Sequence, residues 1–100
     1  MQTHSRKLLV MICEAALEKL LAEDARRLGA AGYTVVDVRG SGRGGTREGS
    51  WEADRSIEMK VICEVGVAER LAAHVLETYG PHYSVTLYFA DVSVVRPEKF

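Results

Sequence analysis

One hundred residues and 11.0 kDa fit one domain, with 47% hydrophobic and 27% charged residues, so a small buried core is available and wholesale disorder is excluded. Thirteen Lys and Arg stand against fourteen Asp and Glu, a net charge of −1, which argues against a dedicated nucleic-acid-binding module but leaves room for a local anion site. The longest clean apolar run, Leu8 to Cys13, is far too short to span a membrane. Arg6 and Lys7 precede it as in a secretory signal, but the run stops at Glu14 without a small-residue cleavage pattern. Two cysteines with no CxxC spacing fit a reducing cytoplasm.

The elements follow in chain order. Lys7 to Glu14, rich in Leu, Val and Ile, reads as a strand. From Ala15 to Leu28, Leu17, Leu20, Leu21, Ala25 and Leu28 fall at helical spacing, and Gly29 and Gly32 end the helix. Tyr33 to Val38 is a second strand, and Arg39 to Asp54 a loop. Ser56 to Glu64 alternates, with Ile57, Met59, Val61 and Cys63 on one face and Glu58, Lys60 and Glu64 on the other. Val67, Leu71 and Val75 form a second helical stripe that Gly80-Pro81 stops, and Tyr83 to Val95 is the last strand.

The chain also repeats itself. Residues 12–36 align without a gap on residues 62–86: Ile12-Cys13-Glu14 on Ile62-Cys63-Glu64, Leu21-Ala22 on Leu71-Ala72, Tyr33 on Tyr83 and Val35 on Val85. Two βαβ halves give an α+β, ferredoxin-like βαββαβ fold over residues 1–100, a four-stranded antiparallel sheet with both helices on one face. Cys13 and Cys63 then lie on neighbouring strands toward opposite ends of the sheet, too far apart for a disulfide, and read as small buried hydrophobes. The face without helices should be polar in a monomer. Instead, Leu8, Val10 and Ile12 occupy one side of the first strand and Leu9, Met11 and Cys13 the other, while the last strand divides into Val85, Leu87 and Phe89 against Tyr88, Val92 and Val94. Self-association is the simplest cover for such a sheet.

Candidate chemistry concentrates in the loop. Arg39-Gly-Ser-Gly-Arg-Gly-Gly-Thr-Arg47 holds three arginines and no acid, and five of the nine glycines fall between Gly40 and Gly49. Glycine lets backbone N–H groups turn toward an anion, and arginine adds a bidentate fork. The segment is neither a Walker A loop nor a dinucleotide fingerprint, since it lacks G-x-x-x-x-G-K-[ST] and leads into a strand. Composition alone suits a solvated linker and an anion site equally; the length favours a functional element. Trp51 either packs on the domain's own sheet edge or meets a partner, with the partner slightly ahead. Arg96 and Lys99 flank Pro97 and Glu98 after the last strand. His4, His74 and His82 share no ligand spacing, and no metal site or catalytic constellation emerges.

Gly32-Tyr-Thr-Val-Val-Asp37, followed by Gly40-Ser-Gly42 and an arginine-bearing loop before a charged strand, resembles the PII-like signalling family, nearest its inorganic-carbon branch of SbtB proteins and carboxysome-associated PII proteins. The resemblance implies a homotrimer that binds adenine nucleotide in clefts between subunits and regulates a target, such as a membrane bicarbonate transporter, without catalytic turnover, nucleic acid or metal. Residues 39–55 would be the long mobile T-loop. Gly40, Ser41, Gly42, Arg43 and Arg47 at its base would meet the ligand, Gly80, Pro81, His82 and Tyr83 would close the cleft, and Arg96 would reach it from the next subunit. Relatives in that branch bind ADP, AMP, ATP or cyclic AMP, and some bind bicarbonate. The turn at Gly80 lacks the Gly- and Lys-bearing phosphate loop of nitrogen-sensing PII proteins, which favours ADP or AMP. No glutamine lies near the base of the loop for magnesium and 2-oxoglutarate, and no tyrosine lies in it for uridylylation. Two alternatives remain at this stage: a CutA-like trimer binding a divalent metal, and an enzyme using the arginines to hold a phosphorylated substrate.

Overall fold

The unbroken apolar run Leu8 to Cys13 lies in His4–Glu14, the longest strand, β1, in a computed structural model that describes residues 1–43, 45–47 and 55–100. The chain then runs through a 3-10 turn at Ala15–Leu17, α1 (Glu18–Arg27), β2 (Thr34–Val38), a small hairpin of β3 (Gly40–Gly42) and β4 (Gly45–Arg47), β5 (Ser56–Cys63), α2 (Val65–Thr78), β6 (Thr86–Val94) and a last 3-10 turn at Pro97–Lys99. The main sheet has the order β2-β5-β1-β6, with every neighbouring pair antiparallel. This is the expected ferredoxin-like arrangement.

The internal repeat is built into the register. Lys7 lies opposite Cys63 and Cys13 opposite Ile57, so the two cysteines are six positions apart along the ladder, roughly 20 Å. Both thiols are buried and free. Each half turns from strand to helix at the same place: Glu14 and Glu64 are extended, at φ −65°, ψ 140° and φ −63°, ψ 150°, and neither side chain caps the helix that follows.

One face of the sheet is closed by the helices. Leu9, Met11 and Cys13 of β1 and Ile57, Met59, Val61 and Cys63 of β5 are almost wholly buried against Leu17, Leu21 and Ala25 and against Val67, Leu71 and Val75. Burying each large aliphatic side chain contributes about 1.5–3 kcal/mol. Leu20 departs from the expected stripe, since it is exposed on the outer side of α1. Leu17, Leu21 and Ala25 follow one another at four-residue steps and fill the inward face without it. The opposite face of the sheet carries Val36, Leu8, Val10, Ile12, Ile62, Tyr88 and Val92, with Val36 and Tyr88 nearly half exposed. The last strand begins at Thr86, because Gly80 to Tyr83 form a turn in which the His82 and Tyr83 N–H groups donate to the Tyr79 carbonyl.

Two glycines close the helices. Gly29 adopts φ +111°, beyond the reach of most side chains, where its N–H donates to the Arg26 carbonyl. At Gly80, whose φ is not positive, a Cβ would lie 2.3 Å from the Leu76 carbonyl oxygen. Between the helices, Asp24 accepts a 2.6 Å hydrogen bond from the Tyr79 hydroxyl and one of 3.2 Å from Arg27, and His74 Nε2 lies 3.2 Å from the same carboxylate. Burial first, then the bond to Asp24 and its negative charge, push the Tyr79 phenol up to about 12.

Because that value lies above the ordinary 10, the contact stabilises fully below about pH 10 and is lost as pH rises through 12. Tyr79→Phe should lower unfolding free energy by about 1–2 kcal/mol at neutral pH and flatten the alkaline loss, as read by urea melts across that range. Burial, with the charge of Glu64 added, raises the Cys63 thiol, so Cys63 should resist a thiol reagent in the native protein and react once it is unfolded, as mass spectrometry would show.

Candidate functional site

The neck of the loop between the two halves is held at both ends. Asp37, next to last in β2, accepts a 2.8 Å hydrogen bond from Arg55, just ahead of β5. The Ala15 N–H donates to the Arg55 carbonyl at 2.9 Å. Beyond this neck the glycine-rich segment folds back on itself: Gly40 pairs with Arg47, Ser41 with Thr46 and Gly42 with Gly45, and the Ser41 and Thr46 hydroxyls are 3.2 Å apart. The sequence suggested only loop here. With no side-chain bulk at Gly40 and Gly42, the two arms can pair over three residues each.

This hairpin stands over the helix-free face of the sheet and encloses a cleft of about 430 Å³. Its wall is Val38, Arg39, Gly40, Ser41, Gly42 and Arg43. Its floor is Ile12, Glu58 and Thr86, side by side because Ile12 pairs with both of the others across β5, β1 and β6. Ser84 completes the rim. The cleft is therefore lined by two arginines and a glycine-rich strand on one side, and by Ile12, Ser84, Thr86 and Glu58 on the other. Such a lining suits an elongated ligand with an anionic end and an apolar body bearing polar groups.

Four of the sequence-derived candidates, Gly40, Ser41, Gly42 and Arg43, meet in this cleft. Arg47 continues the same hairpin as part of β4, and its side chain lies outside the described residues. Trp51 lies outside them as well, as does most of the stretch beyond Arg47 to which mobility and partner contact were ascribed. Gly80, Pro81, His82 and Tyr83 form the turn that leads to Ser84 and are not themselves in the lining. Arg96 follows the far end of β6, some 27 Å of strand away from Thr86, where its Nε pairs with Glu98 at 3.1 Å. Within one chain it does not reach the cleft.

Sequence reading missed Arg39, Ile12, Val38, Glu58, Ser84 and Thr86 as site residues. The signal for Ile12, Glu58 and Thr86 was their common parity on the helix-free face, combined with the register that makes them neighbours. Among the described residues no three His, Cys, Asp or Glu side chains come together as metal ligands, and no helix is long and apolar enough to cross a membrane.

Comparison with known proteins agrees with this architecture. The chain superposes on a candidate PII-like signalling protein from Thermus thermophilus with a TM-score of 0.87 and 40% identity, covering 100% of this chain and 99% of that one. CPII from Thiomonas intermedia, bound to ADP and bicarbonate, gives a TM-score of 0.87 at 26% identity over 99% of this chain and 97% of that one. The same CPII bound to ADP, AMP and bicarbonate gives 0.79 at 29% identity, over 99% and 96%. A search of curated protein sequences finds no match. The family model described as nitrogen regulatory protein P-II matches residues 6–99, and this chain belongs to that family.

Proposed function

We propose that this PII-like signalling protein binds an adenine nucleotide, ADP or AMP, together with bicarbonate, and passes its occupancy to a target protein through the segment at about 39–55. The observation that carries the reading is the cleft itself, where Arg39 and Arg43 of a glycine-rich arm face a floor of Ile12, Glu58 and Thr86. Support comes from CPII, a protein 26–29% identical to this one that binds ADP, AMP and bicarbonate. In this reading Arg39, Arg43 and the Gly40–Gly42 backbone hold phosphate, Arg47 keeps the ligand-binding part its sequence assigns it, and the turn at Gly80, Pro81, His82 and Tyr83 sets Ser84 and Thr86 against the ligand. The protein acts by binding and not by turnover. Its surroundings are the cytoplasm and its target is a membrane transporter of inorganic carbon, as in the SbtB-like branch.

The functional unit in this proposal is a homotrimer. Leu8, Ile62 and Tyr88, around a buried Val10, form an apolar face that no helix of the chain covers, and a second copy matches it in chemistry. Assembly would also give Arg96 a neighbour's cleft to reach. Light scattering in dilute buffer should return about three times the 11.0 kDa chain mass.

Calorimetry against ADP, AMP, ATP and cyclic AMP, with and without bicarbonate, tests the ligand assignment directly. A protein that binds none of them lacks the proposed function. Arg43→Ala should weaken ADP binding by about tenfold or more, since a charge-assisted hydrogen bond contributes roughly 1.5–3 kcal/mol. Arg43→Lys should recover only part of the loss, because an ammonium lacks the fork. Neither change should alter the mass of the assembly. Hydrogen exchange across 39–47 should slow at saturating ADP; unchanged rates would separate binding from any rearrangement of the loop.

A further inference from the structure

Glu58 is an unusual neighbour for a phosphate-binding pocket. Its side chain is only 18% exposed, it lines the cleft floor beside Ile12, and among the described residues it accepts no hydrogen bond. Its one described ion-pair partner, Lys60 Nζ, is 3.5 Å away, on the same strand and itself about half exposed. A carboxylate has about four acceptor sites, and those of Glu58 keep enough exposure at the cleft floor to take a donor from an occupant. The same charge repels phosphate. The cleft is therefore of opposite charge on its two sides, with Arg39 and Arg43 on the arm and an acceptor-only group on the sheet.

We infer that Glu58 determines specificity by accepting a hydrogen bond from a donor on the nucleoside part of the ligand, either the exocyclic amine of adenine or a ribose hydroxyl. This rests on the nucleotide reading above and adds direction to it. Phosphate is drawn to the arginines and driven from the carboxylate, so the nucleoside faces the sheet. The hydroxyls of Ser84 and Thr86 flank the same end. A base that presents an acceptor where adenine presents its amine meets a second acceptor in Glu58 and is rejected, because two buried acceptors cannot satisfy each other.

The test pairs removal of the carboxylate with removal of each donor. Wild type, Glu58→Gln and Glu58→Ala are titrated by calorimetry with ADP, with IDP (which lacks the amine), and with 2′-deoxy-ADP and 3′-deoxy-ADP. The expected result is that wild type prefers ADP to at least one analogue by about tenfold and that Glu58→Ala erases that preference. The analogue concerned identifies the donor. If it is IDP, Glu58→Gln should also bind IDP more tightly than wild type does, since its amide can donate to the 6-oxo group. A structural role alone would not produce that gain, and the near-isosteric Gln keeps the test valid if the Ala variant folds poorly. Penalties that are the same for every analogue in wild type and in both variants would overturn the inference while leaving the nucleotide site intact. Failure of wild type to bind ADP at all would instead overturn the reading on which it rests.

Discussion

Leu9, Met11 and Cys13 interlock with Ile57, Met59, Val61 and Cys63 beneath the two helices, and the same strands send Leu8, Val10, Ile12 and Ile62 the opposite way. A pleated strand cannot do one without the other, since successive side chains alternate. An 11.0 kDa chain has only enough helix to close one side. The remaining side is a ready surface for association, and the glycine-rich hairpin overhangs one end of it. The core and the cleft both depend on how one central pair of strands is patterned.

The repeat explains why the cleft lies where it does. Relating each residue to the one fifty positions on carries β1 onto β5 and makes Val10 opposite Lys60 the centre of that relation. Lys7 against Cys63 and Cys13 against Ile57 are equivalent pairs about it. The symmetry ends at the connection between the halves. Asp37 and Arg55 clamp that connection, although an exposed pair of this kind is worth at most about 1 kcal/mol. The β2–β5 ladder beneath it, with Val38 opposite Ser56, does most of the anchoring. Gly40, Ser41, Gly42, Arg43 and Thr46 of this connection are all outside the core.

That division also marks how much could be read from the sequence. The strands, the helices and the separation of the cysteines were legible because burial imposes a period on the chain, and Leu17, Leu21, Val67, Leu71 and Val75 obey it. Leu20 misled because it is apolar and adjoins Leu21, yet Leu17, Leu21, Ala25 and Leu28 make up the inward face without it. The hairpin at Gly40–Arg47 was hidden because glycine pairs leave no alternation to read. Half of the site was hidden for another reason. Arg43 and its glycines announce themselves as a local cluster, but Glu58 and Thr86 meet across Ile12 only when register is known, and each looks like an ordinary polar position on a strand.

Rigidity is distributed unevenly across the cleft. Ile12 and Glu58 belong to β1 and β5, whose far faces are buried in the core, and Thr86 is held beside them by the β1–β6 ladder, so the floor is the firmer side. Arg39 and Arg43 ride on a two-stranded hairpin with three residues to an arm, joined to the sheet through its neck. Two-stranded hairpins are marginal when they stand alone. An occupant that touches both sides would therefore move the arm and not the floor. The free energy of that contact would be spent on fixing glycines, the residues with most conformational freedom to lose. The resulting affinity would be modest for the number of contacts made, and the arm's position would depend steeply on occupancy, a combination that suits a sensor better than a store.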